Sequence, residues 1–150
     1  MDPAAISLRL ALALAVGAAI GIDRDLRRKP AGVRTHSLVS IGSALVVMVA
    51  LSLPGSTPET VSRVIQGLIT GIGFLGAGVI IHHEAQKRIE GLTTAASIWV
   101  AAALGAACGA GLGEIAAMGL IAALIVLVAG GPFERVLERL FRGDDTKGGK

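Results

Sequence analysis

The sequence has no tyrosine, one tryptophan and three phenylalanines in 150 residues. Soluble domains of this size usually anchor their cores on aromatic side chains, so this scarcity argues against one. Charge is also thin, with 17% charged residues against 53% hydrophobic, where soluble domains carry about a quarter charged. A single cysteine, Cys108, excludes an internal disulfide framework and a cysteine-based zinc site. Its apolar flanks make it a buried, unreactive thiol. Alanine, leucine, isoleucine, valine and 21 glycines fill the chain instead. That mixture suits helices packed backbone to backbone in lipid, where small residues allow close approach.

Five apolar runs follow one another: Ala4 to Ile22, Thr35 to Leu53, Val64 to Ile81, Leu92 to Leu112 and Glu114 to Gly130. Each holds about 17 to 21 residues, enough to cross a hydrocarbon core of roughly 30 Å at about 1.5 Å per residue. The first run has no basic segment before it, and its charges come after, so it reads as an uncleaved spanning helix. The prediction is an all-α membrane bundle over residues 1–131, followed by a short cytoplasmic tail over 132–150. Within the tail, Phe133, Val136, Leu137, Leu140 and Phe141 share one helical face, the pattern of a short amphipathic helix on the membrane surface. Asp144 to Lys150 reads as disordered.

The net charge of +3 matters less than where the charges fall. Threading the five runs alternately puts Arg24, Arg27, Arg28, Lys29, Arg34, Lys87, Arg88 and the basic tail on one side. Only Arg9 and Arg63 fall on the other. The positive-inside rule then predicts an outer N-terminus and a cytoplasmic C-terminus. The lipid bilayer, not nucleic acid, is the expected partner of these cations.

Polar groups inside lipid are costly, and their positions are informative. His36, Ser40 and Ser43 share a face of the second helix, Arg63, Gln66 and Thr70 one of the third, and Thr94, Ser97, Gly105 and Cys108 one of the fourth. The expectation is that the three faces meet, either as hydrogen-bonded packing or as a polar crevice for an ion. Between the first two helices, Asp23, Asp25, Arg34 and His36 flank Pro30 and Gly32. A carboxylate–arginine pair there would clamp two helix ends, gate a path or present a docking surface, unless the segment only fixes topology.

Two apparent signals fail on context. Gly71, Gly73 and Gly76 match GxGxxG, but no strand precedes them and the run is intramembrane, so a dinucleotide site is excluded. With Gly67 and Gly78, they read as helix-packing glycines or a local helix break. His82-His83-Glu84 puts adjacent side chains in different directions with no completing ligand cluster, and reads as a solvated loop. No nucleophile–base arrangement is evident. The sequence predicts no enzyme, no cofactor and no bound metal.

Three separated blocks carry a family resemblance: RRKPAGVRTHSLVSIGSAL from Arg27, GLITGIGFLGAGVI from Gly67 and EGLTTAASIWVAAALGAACGAG from Glu90. Together, and in this order, they resemble the MgtC/SapB family of bacterial inner-membrane proteins. The resemblance implies five membrane helices and a cytoplasmic C-terminus. It carries the family's acidic–arginine pair onto Asp23 and Arg24, and its arginine-threonine element onto Ala31 to Thr35, centred on Arg34. The glycine element falls on Gly71 to Gly78, and the last motif on Gly91 to Trp99, with Thr93, Thr94 and Trp99. Aspartate stands at 23 where glutamate is usual, Thr93 where some members have asparagine, and Val100 where some have cysteine. Many members continue into a soluble cytoplasmic domain, whereas this chain is expected to stop after a short tail. The resemblance further implies a role in low-magnesium or acid stress and virulence, by modulating a membrane partner such as the F-type ATP synthase or a transporter. Magnesium or other ion transport is the alternative, and a homodimer is plausible for so small a bundle. One feature speaks against a magnesium pore: no aspartate or glutamate lies mid-membrane, where a divalent path usually has acidic rings.

Overall fold

A computed structural model describes residues 1–83 and 88–142. Five helices carry the fold: α1 (Pro3–Leu26), α2 (Val33–Ser52), α3 (Pro58–Val79), α4 (Leu92–Ala110) and α5 (Gly113–Arg142). All five are long and apolar enough to cross a membrane, so the chain is an all-α multi-pass bundle. Between α3 and α4, β1 (Ile81–His83) and β2 (Arg88–Glu90) pair antiparallel, Ile81 opposite Glu90. This short ribbon corrects the loop expected at His82 and His83; Glu84 lies outside the described residues.

Helix ends follow local chemistry. Pro3 stands at the start of α1, where a missing N–H is harmless. The helix continues through Asp23 to Leu26, keeping Arg24 on its inward face. Thr57 caps α3 by accepting from the Thr60 N–H, and Pro58 and Glu59 complete the start signal. The polar stretch before Val64 is therefore helical as well. Gly111, at φ 82°, ends α4 in the left-handed conformation that glycine adopts freely.

The sequence predicts a separate tail helix after Gly130, but α5 runs unbroken through Pro132 to Arg142. Proline there removes only one intrahelical donor, and helices in membranes tolerate such a loss. The amphipathic tail is thus the last part of α5, with Phe133, Leu140 and Phe141 well exposed. Residues 143–150, expected to be disordered, lie outside the described residues.

The core forms where α1, α2 and α4 meet. Ala13, Val16, Ile20, Ala44, Met48, Ala101, Leu104 and Cys108 fill it. Two glycine pairs at four-residue spacing set its tightness. A Cβ at Gly17 would fall 2.5 Å from the His36 carbonyl oxygen, and one at Gly21 would overlap the Val33 backbone. On α4, Cβ atoms at Gly105 and Gly109 would overlap the backbone at Ser40 and Ala44. One side of α2 therefore lies against α1 and another against α4 at backbone contact, the packing that small-xxx-small spacing permits in lipid. The large apolar residues that remain exposed, such as Leu8, Val49, Met118 and Val126, suit a lipid-facing surface. α3 rests on α4 through Ile72 and Val79 packed with Ile98 and Ala102.

Candidate functional site: a buried polar layer at one end of the bundle

The end of α1 and the starts of α2 and α4 meet at one end of the bundle, and four buried polar residues gather there. Arg24 is 3% exposed, His36 0%, Thr94 2% and Ser97 4%. Arg24 Nη2 donates to Thr94 Oγ1 at 3.0 Å, joining α1 to α4. His36 Nδ1 lies 3.1 Å from the Gly32 carbonyl oxygen and Nε2 lies 3.0 Å from Ser97 Oγ, joining α2 to α4. Ser97 Oγ also donates to the Thr94 carbonyl at 2.8 Å. Donor and acceptor on the imidazole–hydroxyl bond follow the ring tautomer. Three helices are thus tied by bonds between buried side chains. Such interhelical bonds are worth about 0.6 kcal/mol each on average in membrane bundles.

Some polar capacity in this region is unspent. Arg24 Nε, Asp23 Oδ2, Ser37 Oγ and Ser40 Oγ are buried without a hydrogen-bond partner among the described residues. Asp23 Oδ1 instead accepts from Arg27 Nε at 2.8 Å, one helical turn on.

The turn between α1 and α2 is clamped, although not by the expected carboxylate–arginine pair. Arg34 is exposed, and its carboxylate neighbours are engaged elsewhere. Asp25 Oδ2 accepts the Val33 N–H at 3.0 Å, capping α2 from the preceding helix. The Asp25 carboxylate fills the space that a Cβ at Gly32 would occupy. At the far end of the bundle, Arg9 Nη1 donates to the Gly109 carbonyl at 2.7 Å, serving an end of α4 whose carbonyls lack helical partners.

The structure corrects the expected three-helix crevice. His36, Ser40 and Ser43 of α2 and Thr94, Ser97, Gly105 and Cys108 of α4 are buried, but Arg63, Gln66 and Thr70 of α3 are exposed. Thr70 Oγ1 donates back to the Gln66 carbonyl within its own helix. The cause is the packing stripe of α3: Val61, Ile65, Leu68, Ile72, Gly76 and Val79 recur every three or four residues on the half-buried or buried side. The polar face is therefore turned away. Of the glycines expected to pack, only Gly76 meets a neighbour, Ala95 at 3.5 Å from its Cβ position; Gly67, Gly71, Gly73 and Gly78 have open space. The helix does not break at these glycines. Thr93 and Trp99 also face outward.

Sequence reasoning passed over the clamp by Asp25, the reach of Arg9 and the backbone contacts at Gly17, Gly21, Gly105 and Gly109. The two GxxxG spacings were a readable signal. The bonds of Arg9 to a carbonyl 100 positions away and of Asp25 across the turn carry no such signal. A shallow groove of about 540 Å³ lies at the opposite end, along Leu51, Thr57, Val61 and Ile65, away from the polar layer.

Close glycine packing, five bilayer-length helices and a buried arginine–threonine and histidine–serine layer define a polytopic helical membrane protein. The chain belongs to the MgtC family, whose model matches residues 10–136. It is 44% identical to Protein SrpB of Synechococcus elongatus over 81% of this chain and 72% of that one. It is 43% identical to "Putative magnesium transporter YhiD" of Escherichia coli over 80% of this chain and 58% of the relative. Protein MgtC of Brucella abortus is 40% identical over 86% of this chain and 52% of its own length. The chain therefore spans little more than half of the latter two relatives. No solved structure matches.

Proposed function

We propose that this chain is a magnesium-related bacterial inner-membrane protein that acts by binding and modulating a membrane partner, such as the F-type ATP synthase or a transporter, under low magnesium or acid stress. One observation carries this reading: α3 turns a polar, glycine-lined face outward at membrane depth. Gln66 and Thr70 are exposed beside Gly67 and Gly71, and among the described residues nothing lies within 4 Å of a Cβ position at either glycine. A carboxamide facing lipid is unfavourable, and small residues beside it allow another helix to approach closely. A helix of the membrane partner satisfies both features. The buried layer supports the same reading from the other side. Its fixed charge is the Arg24 guanidinium, which repels a divalent cation, while Asp23 is paired through Oδ1 with Arg27 and Asp25 accepts the Val33 N–H through Oδ2. In this reading the basic helix ends face the cytoplasm. Cysteine introduced at Ser56 then labels from outside and at Gln86 from inside.

The second reading is magnesium or other ion transport, favoured by the printed name of the Escherichia coli relative. Reconstitution into liposomes containing a magnesium-sensitive or proton-sensitive dye separates the two. The modulator reading expects no saturable flux from the purified chain, and a co-purifying partner lost on Gln66→Leu. Saturable flux that Thr94→Val abolishes would establish transport and overturn the modulator reading.

A further inference from the structure

The turn between α1 and α2 has a property that a topology-fixing loop does not require: its backbone is held rigid. Arg28 and Ala31, neither of them glycine, sit at φ 54° and 57°, a region L-residues occupy at a cost and usually only where surroundings impose it. Three backbone bonds close the first half, from the N–H groups of Arg27, Arg28 and Lys29 to the carbonyls of Asp23, Asp25 and Arg24. The Asp25 carboxylate closes the second half by accepting from Val33 and filling the space beside Gly32. On this fixed frame Arg28, Lys29 and Arg34 are exposed. Among the described residues no carboxylate pairs with any of them; the ion pair here is Asp23 with Arg27. Beside them Ile22, Leu26 and Leu38 are 50%, 80% and 70% exposed. Three uncompensated cations next to outward aliphatic side chains, at the ends of two membrane-length helices, match a molecule with an anionic head and an apolar tail.

We propose that this turn is a binding site for anionic phospholipid, with Arg28, Lys29 and Arg34 contacting the headgroup phosphate and Leu26 and Leu38 the upper acyl chain. The rigid backbone holds the cations in place before the lipid arrives, so less conformational freedom is lost on binding. The proposal does not depend on whether the chain modulates a partner or carries an ion.

The test uses the full chain in phosphatidylcholine nanodiscs, titrated with phosphatidylglycerol and read by native mass spectrometry for retained lipid. Removing one cation, in Arg28→Gln, Lys29→Gln or Arg34→Gln, is expected to weaken retention about fivefold, the effect of roughly one juxtamembrane charge. The three changes together should nearly abolish it. Arg63→Gln, an exposed cation at the other end of the bundle, should leave retention unchanged. Helicity in pure phosphatidylcholine discs identifies any variant that fails to fold, and the single substitutions then carry the comparison. Unchanged retention in the triple variant, or an equal loss in Arg63→Gln, would overturn the site. So would displacement of the lipid by millimolar inorganic phosphate, which would make the ligand a soluble anion, or by an acidic peptide, which would make the turn a protein-docking surface.

Discussion

Two glycine-rich regions of this bundle use the same residue in opposite ways. On α1 and α4, Gly17, Gly21, Gly105 and Gly109 are each pressed against the backbone of α2. On α3, Gly67, Gly71, Gly73 and Gly78 meet nothing among the described residues. The first set builds the molecule; the second leaves a surface unfinished. In lipid this difference is not set by hydrophobicity, because bilayer and protein interior are about equally apolar. It is set by which residues share a face with the packing stripe.

The largest expected effect lies in the first set. Gly105→Leu or Gly21→Val forces a side chain into occupied backbone and should cost about 3 kcal/mol or more, read as loss of the folded bundle in a denaturation series. Gly71→Ala should shift the same curve by no more than about 0.5 kcal/mol. Comparable losses at both would erase the distinction. Next in size is the polar layer. Thr94→Val strips Arg24 Nη2 of its acceptor and should cost about 1–3 kcal/mol, the penalty of an orphaned buried donor. Ser97→Ala leaves the buried His36 Nε2 without its partner and falls in the same range. A smaller loss, about 1 kcal/mol, is expected for Asp25→Ala, which uncaps α2. Gln66→Leu should leave stability within about 0.5 kcal/mol while removing partner association; a large loss of stability would mean that Gln66 is packed within the chain.

Much of the fold is legible in the residues. Run lengths located five helices, and the burial of His36, Ser40 and Ser43 on α2 and of Thr94 and Ser97 on α4 follows the shared faces in the sequence. The direction of α3 is harder to see, because the polar stripe of Gln66 and Thr70 competes with the 3–4 spacing from Val61 to Val79. Arg9 and Asp25 bond to backbone atoms that no sequence pattern marks, one of them on a helix 100 positions away. The Gly130-Gly131-Pro132 stretch reads as a stop by turn chemistry, yet α5 passes through it, since losing one donor does not end a helix otherwise free to continue.

The opposed orientation of α3 and α4 is the claim on which the account turns, and spin labels in a Cys108→Ala background test it directly. Labels at Gln66, Thr70 and Phe74 in nanodiscs holding one copy should collide freely with lipid-dissolved oxygen, while labels at Ser40 and Ser97 should be shielded. Shielding at Thr70 equal to that at Ser97 would place the polar face of α3 inside the bundle and contradict the account.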